Sequence, residues 1–226
     1  DWNGLAVQFA PYLAPLFEDR HPDAHRFLMH SSVAPQLNDE LVRLLGEEEC
    51  GVAILEDLHR RGLFVDHSND GRDWYRVHPA VRAVYRQYLD GWGPARASEL
   101  HRVTARYYEA QGMVAEAIDQ FLAAGTEEDV VRLISDHALS FLGRGEIERL
   151  AAWFDALSDV RIARSIPLLR VSAWLGILSA DHDVGGATAS LRGGGEEAEA
   201  CAVELLHTVH VRDLPDGIVE EGDRLL

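Results

Sequence analysis

Lysine is absent from this chain of 226 residues, so all 21 of its basic residues are arginine. Without a lysine amine the chain has no Walker A phosphate clamp, no Schiff-base nucleophile and no lysine general base. We therefore expect that it does not bind a nucleotide through a phosphate loop of its own.

Cysteine, positive charge and long apolar runs are also scarce. The two cysteines, Cys50 and Cys201, lie far apart without a CxxC pair, which favours neither a disulfide framework nor a zinc ribbon. The net charge of -17 argues against direct binding of nucleic acid. No run approaches the roughly 18 apolar residues of a membrane span, and the N-terminus has no basic segment of a signal peptide. We expect a cytoplasmic protein without membrane contact and, since residue 1 is Asp, a piece of a longer chain.

Apolar residues at helical spacing predict a mainly α fold, and a composition of 47% hydrophobic and 26% charged residues is globular. Residues 1–21 predict a linking helical segment, which Pro11 and Pro15 should bend or split. Three further helices are expected, the first over residues 22–34. The second begins at about Asn38, with Leu41, Leu44 and Leu45 on one stripe and Gly46 beyond its end. The third covers the 47–61 region, with Gly62 as its C-cap.

The apolar period then changes to the alternation of strands. Residues 63–65 and 74–77 predict two strands, joined at 68–71 by a turn whose Asp-Gly pair is typical of hairpins. A helix that begins at Pro79 follows. Three helices, a two-stranded wing and a closing helix predict a winged-helix domain over residues 22–94, and its last four residues, 91–94, predict a linker. The apolar face of the closing helix consists of Val81, Val84, Tyr85 and Leu89.

Beyond residue 94 the pattern is helical and repeats loosely. Long and short helices alternate, and the short ones are expected to begin near residues 114, 146, 184 and 216. Repeats of about 32 to 38 residues are typical of stacked helical hairpins. Residues 95–226 therefore predict a TPR-like α-solenoid, whose aromatic residues are expected mostly in its core, with a minority left for a concave binding face. They are Tyr107, Tyr108, Phe121, Phe141, Trp153, Phe154 and Trp174.

The spacing of the histidine, cysteine and acidic residues indicates no catalytic residue and no metal site. We therefore expect no enzymatic activity of the chain itself. Two groups of histidines are closely spaced, but no HExxH is present and no acidic residue completes a ligand set. No GxSxG is present either, and neither cysteine has a histidine at nucleophile spacing. The histidine groups are His21, His25 and His30, and His207 and His210.

The helix before the wing occupies the position of a DNA recognition helix. It carries Glu56 and Asp57 beside Arg60 and Arg61, whereas a helix that reads the major groove is expected to present more Arg, Asn or Gln. Packing within the protein is therefore the expected role of this helix, and no direct contact of the chain with nucleic acid is predicted.

Several short stretches occur in an order and spacing that are specific together. They are residues 27–33 (FLMHSSV), 54–65 (ILEDLHRRGLFV), 74–79 (WYRVHP), 100–102 (LHR) and 107–112 (YYEAQG). In these stretches the chain resembles the middle of large ATP-dependent LuxR-family transcriptional regulators of the MalT type, which are STAND-class signalling ATPases. The resemblance extends over about residues 5–192.

In that family an ATPase module precedes the winged helix, a superhelical sensor array follows it, and a LuxR-type helix-turn-helix ends the chain. The resemblance implies that this chain is a fragment of a bacterial regulator and holds no cofactor itself, whereas its parent binds ATP or ADP. The implied partners are the parent's own ATPase and helix-turn-helix domains, and a small-molecule or protein inducer on the helical repeat.

One residue of the winged helix receives a role from the resemblance. The related class carries a Met-His-Asp-like motif at the start of the last winged-helix helix, and its histidine contacts the β-phosphate of bound ADP in the resting state. Val77, His78 and Pro79 match that position, with Pro79 in place of the acidic third residue. The resemblance thus implies that His78 is a cofactor-binding sensor of a phosphate that another domain supplies. The alternative is a structural histidine at the exit of the hairpin.

Three hypotheses for the function remain. In the first, the chain is a regulatory fragment in which the winged helix locks an ATPase and the helical array receives a signal, through a population shift between closed ADP and open ATP forms. In the second, it is a helical-repeat scaffold for protein–protein interaction without a transcriptional role. The third, a direct DNA binder, is disfavoured by the net charge of -17.

Overall fold

The computed structural model describes residues 24–46, 51–68 and 73–178. Within these ranges the chain forms helices and one small sheet, which confirms the prediction of a mainly α fold with a winged helix and helical hairpins. The first elements are α1 (Ala24–Ser31), α2 (Asp39–Leu44), α3 (Gly51–Arg60), β1 (Val65–Ser68), β2 (Trp74–Val77) and α4 (Pro79–Trp92). They are followed by α5 (Pro94–Ala110), α6 (Val114–Ala124), α7 (Glu127–Gly143), α8 (Ile147–Asp155), α9 (Asp159–Ala163) and α10 (Ile166–Leu178).

Two compact units divide the chain. Unit 1 is Asp1–Thr126, and unit 2 is Glu127–Leu226. Unit 1 therefore holds the winged-helix elements together with the first helical hairpin, α5 and α6. The domain boundaries expected at residues 21 and 94 stay predictions.

The core of the winged helix lies where α1, α3 and α4 meet. Phe27, Ile54 and Tyr85 are fully buried there. At the first residue of α3, a Cβ on Gly51 would overlap Cγ1 of Val42 and would lie 3.0 Å from the Phe27 ring. Glycine therefore permits the close approach of α3 to the two preceding helices.

Helix α2 begins and ends as the sequence predicts. The Asn38 side chain accepts a hydrogen bond from the Leu41 N–H at 2.9 Å, and Gly46 adopts a φ of 84° beyond the helix. The predicted apolar stripe is wrong at one position, because Leu44 is 53% exposed whereas Val42 is buried. The reason is the close packing at α3, which turns the Val42 side of α2 inward.

The wing is an antiparallel hairpin in which Val65 pairs with Val77. Its first strand begins two residues later than predicted. The Leu63 N–H donates to the Leu58 carbonyl at 2.8 Å and so finishes α3, and Phe64 has a φ of 58°, which is not a strand conformation. The prediction of a strand at 63–65 is therefore wrong except for its last residue.

A bridge from the loop before α2 adds to the wing. Leu37 pairs with Tyr75 through two backbone hydrogen bonds of 2.7 and 2.8 Å. No local pattern predicts this pairing, since one residue is too short to show an alternating pattern. The bridge attaches the wing to the loop between α1 and α2.

Helix α4 begins at Pro79 as predicted, and its four predicted apolar residues are buried. The predicted linker at 91–94 is wrong. Helix α4 continues to Trp92, and α5 begins at Pro94, so Gly93 alone separates them. Its φ of 140° is open to glycine and strained for other residues, which lets one residue redirect the chain.

The helices after Gly93 follow the predicted alternation of long and short. Helix α6 begins at Val114 and α8 at Ile147, within one residue of the expected starts at 114 and 146. Gly125 caps α6 in the left-handed conformation, with a φ of 72°. The structure also contains α9, a short helix that the sequence did not predict.

In unit 2, α7, α8 and α10 enclose an apolar core. The rings of Phe141 and Trp153 meet edge to face with their centroids 4.9 Å apart, and Leu133 and Leu150 are also buried in this unit. None of the helices described is both long and apolar enough to cross a membrane. The predicted segment 1–21, the acidic run 47–49, turn residues 69–71 and the helices expected from 184 and 216 lie outside the described residues.

Candidate functional site

His78 lies at the junction between the wing and α4, where the sequence places it. Its backbone N–H donates to the Phe64 carbonyl at 2.7 Å, which fixes the end of β2. Its side chain caps α4, since Nδ1 accepts a hydrogen bond from the Ala80 N–H at 3.2 Å. The residue is nevertheless exposed to solvent.

The cap determines which nitrogen of the His78 ring carries the proton. Because Nδ1 accepts, the neutral ring has its proton on Nε2. Nε2 is then a donor on an exposed side chain, and this chemistry fits a phosphate oxygen. A cap of this kind also fits the alternative of a purely structural histidine, so the role of His78 stays a prediction.

A chain of polar groups connects α4 with the hairpin of α5 and α6. The Nε and Nη2 atoms of Arg82 donate to the carbonyls of Ser32 and Val33 at 3.2 and 3.5 Å. Nε2 of Gln120, on α6, donates to the same Val33 carbonyl at 2.9 Å. One carbonyl just beyond α1 therefore joins α4 to α6.

His101 extends this series of hydrogen-bonded polar groups to α5. Its Nδ1 lies 2.6 Å from Oε1 of Gln120 and donates to it, because an amide oxygen can only accept. Burial, with a smaller contribution from the charge of Arg86, lowers the pKa of His101 to about 4. The ring is therefore neutral near pH 7, and its buried Nε2 has no hydrogen-bond partner in the described part of the chain.

Two adjacent tyrosines of α5 bind the loop between α1 and α2. The Tyr108 hydroxyl donates to the Gln36 carbonyl at 2.6 Å and accepts from the Gln36 N–H at 3.1 Å. The Tyr107 hydroxyl donates to Oε2 of Glu40 at 3.1 Å and accepts from Nδ2 of Asn38 at 2.7 Å. Burial raises the pKa of both tyrosines, which keeps the two hydroxyls protonated. The winged helix and the first hairpin are thus hydrogen-bonded into one unit.

The first histidine group makes ring contacts. The ring of His25 lies 5.3 Å from that of Tyr85, and the ring of His30 lies 5.2 Å from that of Trp92. Across residues 24–46, 51–68 and 73–178, no three His, Cys, Asp or Glu side chains are grouped so that they could hold a metal ion. His21, His207, His210, Cys50 and Cys201 lie outside the described residues.

The helix in the recognition position, α3, balances its own positive charge. Asp57 pairs with Arg61 at 3.0 Å and lies 3.9 Å from Arg60. An arginine with a nearby carboxylate attracts a phosphate backbone less than an isolated one does. The packing role of α3, without contact with DNA, stays a prediction.

The predicted aromatic residues of the helical part occupy its interior. Six of the seven are buried, and Trp174 is half-buried, which confirms their placement mainly in the core. Sequence reasoning missed the polar partners of this interior. Their signal was a polar residue within an apolar stripe: His101 lies four residues from both Ala97 and Ala105, and Gln120 lies three and four residues from Ala117 and Ala124.

Comparison with known proteins identifies the first part of the chain. Residues 14–98 match the family model for the MalT winged helix domain. The chain is also similar to the HTH-type transcriptional regulator MalT of Klebsiella pneumoniae (strain 342), with 32% identity over 149 residues, which are 66% of this chain and 16% of that protein. For the protein of the same name in Cronobacter sakazakii (strain ATCC BAA-894), the identity is 29% over 153 residues, 68% of this chain and 17% of that protein.

The chain thus spans about one sixth of the length of these curated relatives. The range matched by the family model, 14–98, contains the wing and His78. The resemblance deduced from short stretches of sequence is confirmed, and the similarity is to a regulator of transcription. Residues 14–98 match the MalT winged helix family, and about two thirds of the chain is similar to part of a MalT-type regulator.

Proposed function

We propose that this chain is the central regulatory segment of an ATP-dependent, LuxR-family transcriptional regulator of the STAND class in the bacterial cytoplasm. In this proposal it couples a nucleotide-binding module to a helical-repeat region that senses a signal and to a DNA-binding domain. The observation that carries the proposal is the junction at His78, an exposed donor at the start of α4 in a winged helix that is hydrogen-bonded to the first helical hairpin. The similarity to MalT regulators supports it.

ATP or ADP bound in the parent would supply the phosphate charge that distinguishes the resting state from the active one. His78 fits such a group, because its Nε2–H is a donor and its Nδ1 is held by the cap of α4. The chain's own part in the chemistry is to hold that donor at a fixed place. A contact made in only one nucleotide state would shift the population between closed and open forms.

The hydrogen bonds of unit 1 offer a way to transmit this shift. A displacement of α4 would act on Arg82 and on the Val33 carbonyl, and through Gln120 on the helical hairpin. Since these groups are buried or half-buried, breaking a single link would leave an unpaired polar atom at a cost of about 1–3 kcal/mol. The winged helix and the hairpin are therefore expected to move together when the inducer binds the helical repeat.

Two variants of the full regulator separate a sensor from a cap at His78. His78→Ala removes both the cap and the donor, whereas His78→Asn keeps a side chain that caps helices well but places no ring nitrogen beyond it. If His78 senses the phosphate, both variants lose ADP during gel filtration and activate transcription without inducer. The measurements are the bound ADP per protein and the output of a reporter gene.

A cap without a sensor gives a different result. His78→Asn would then retain ADP and stay inducible, while His78→Ala would lose thermal stability. Normal ADP retention and normal output in both variants would remove the sensor role. If the purified parent neither bound nucleotide nor affected transcription, the regulatory function itself would be rejected in favour of the interaction scaffold.

A further inference from the structure

A cavity of about 620 Å³ lies along α4, from the residue that follows His78 onwards. Its lining includes Pro79 but not His78, so it is a separate place on the surface of the winged helix. The polar groups of the lining are Ser32, Arg82, Arg86, Gln87 and Asp90. Small-molecule sites have volumes of about 300–1,000 Å³, and this cavity falls within that range.

Two guanidinium groups dominate this cavity. Arg82 and Arg86 are four residues apart and therefore lie on the same face of α4. Both side chains are half-buried, and burial lowers the pKa of each. In a protein with a net charge of -17, this is a local concentration of positive charge that is partly removed from water.

The two arginines differ in how firmly they are held. The guanidinium of Arg82 is fixed from behind by the carbonyls of Ser32 and Val33, which occupy its Nε and Nη2. Arg86 makes no hydrogen bond or ion pair with any described residue, although the negative charge of Asp90, one turn further along the helix, stabilises its charged form. Donors thus remain on a positioned arginine and on a second one beside it.

Gln87 and Asp90 complete the lining at the exposed end of the cavity. A glutamine amide both donates and accepts, and a carboxylate accepts from hydroxyl groups. Next to a pair of arginines, these groups would suit a ligand that carries hydroxyls as well as an anionic end. The Ser32 hydroxyl already donates to the Met29 carbonyl at 2.7 Å, so it can offer a ligand only an acceptor.

We propose that this cavity binds the phosphate group of a small phosphorylated ligand between Arg82 and Arg86. A phosphate has several oxygens around one centre and a charge near -2, which matches two guanidinium forks better than a single carboxylate does. The site does not depend on the proposed transcriptional role. It would also exist in a protein that used the helical repeat only as a scaffold.

The test is a titration of the 226-residue chain with inorganic phosphate at constant ionic strength, followed by the NMR signals of the Arg82 and Arg86 side chains. We expect saturable shifts with a dissociation constant of about 1 mM, as for a small anion held by a few charge-assisted hydrogen bonds. Arg86→Gln should weaken binding about tenfold. Asp90→Asn removes the opposing carboxylate and should tighten binding about threefold.

Arg106→Gln is the matched control, since it removes the same charge from an exposed position on α5 outside the cavity. It should leave the dissociation constant unchanged. Absence of saturable shifts at the two arginines, or equal weakening by Arg86→Gln and Arg106→Gln, would overturn the site. Acetate binding as tightly as phosphate would overturn its assignment to phosphate.

Three further titrations distinguish the sources of the phosphate. Glucose 6-phosphate binding more tightly than inorganic phosphate, with glucose itself silent, would indicate a phosphorylated sugar that also contacts Gln87 and Asp90. ADP binding more tightly than both would indicate a nucleotide. Equal affinities for all three would show that the phosphate group alone is recognised, as the proposal requires at minimum.

Discussion

Each of the two units of the chain is stabilised internally by a different kind of interaction. In unit 1, buried polar groups connect separate elements, as Tyr108 does with Gln36 and Gln120 with Val33. In the described part of unit 2, every buried residue is apolar, and its ion pairs, such as Arg161 with Glu127 at 3.3 Å, lie at the surface. Directional hydrogen bonds thus fix the arrangement of the helices in unit 1, whereas apolar packing stabilises the described helices of unit 2.

This difference has a physical basis. Apolar contacts depend mainly on buried area and tolerate small shifts between helices. Buried hydrogen bonds depend on the direction and distance of particular atoms, and a broken one is costly because water cannot replace it. Unit 1 is therefore expected to hold its helices in one arrangement, and unit 2 to respond mainly to the loss of apolar volume.

The largest effect is expected from removing apolar volume in unit 2. Phe141→Ala deletes a fully buried ring that meets Trp153, and should destabilise unit 2 by about 4 kcal/mol. Hydrogen exchange at the amides of α7 and α8 measures this locally. Leu139→Ala, at a side chain on the same helix that is 77% exposed, should change exchange little. Equal effects of both variants would contradict an apolar core in unit 2.

The next effect concerns the pH dependence of unit 1. Burial first, and then the charge of Arg86, lower the pKa of His101 to about 4 from 6.5. Between these values the unfolded chain binds a proton that the folded chain does not, so the stability present above pH 6.5 is lost as the pH falls towards 4. The loss amounts to about 3 kcal/mol.

Urea unfolding at pH 7 and pH 5, followed by exchange at the amides of α5, measures the part of this loss that falls between the two pH values, about 2 kcal/mol. His101→Gln, which cannot titrate, should flatten the dependence. Arg86→Gln should raise the pKa of His101 and thereby reduce the loss. An identical pH dependence in the native chain and in His101→Gln would show that another group is responsible.

The smallest of the three effects tests one hydrogen-bonded tie. Tyr108→Phe keeps the ring but leaves the carbonyl and the N–H of Gln36 without their partner, and should cost about 2 kcal/mol. Its urea midpoint should fall relative to the native chain. Tyr88→Phe removes a hydroxyl from a side chain that is 42% exposed, and should leave the midpoint unchanged. A similar small change of the midpoint in both variants would show that the hydrogen bonds between Tyr108 and Gln36 contribute little to stability.

The sequence was informative wherever a local pattern determines the structure. Helix α4 could be predicted from Pro79 and from four apolar residues at helical spacing, and the start of α6 from the alternation of long and short helices. The strand expected at 63–65 was misplaced because the end of α3 competes for Leu63, and apolar composition does not reveal that competition. Leu44 was misplaced because its exposure depends on the approach of α3.

In the candidate site, too, local features could be predicted from the sequence and long-range contacts could not. The position of His78 follows from its place between a strand and a proline, both of which are local signals. The links of Gln120 to Val33 and of Tyr108 to Gln36 join residues 87 and 72 positions apart, and no pattern within one helix reports such a partner. The cavity at Arg82 and Arg86 likewise needs the end of α1 to exist.

A small change in the backbone angles of Gly93 would move the far end of α5 by a large distance. The 17 residues of α5 extend about 25 Å from that single peptide, so a rotation of about 10° at Gly93 would sweep the far end of α5 through about 4 Å. Tyr107 and Tyr108 sit near that far end and anchor it. Most of a long helix thus separates the glycine at which the chain changes direction from the tyrosines that restrain the movement of α5.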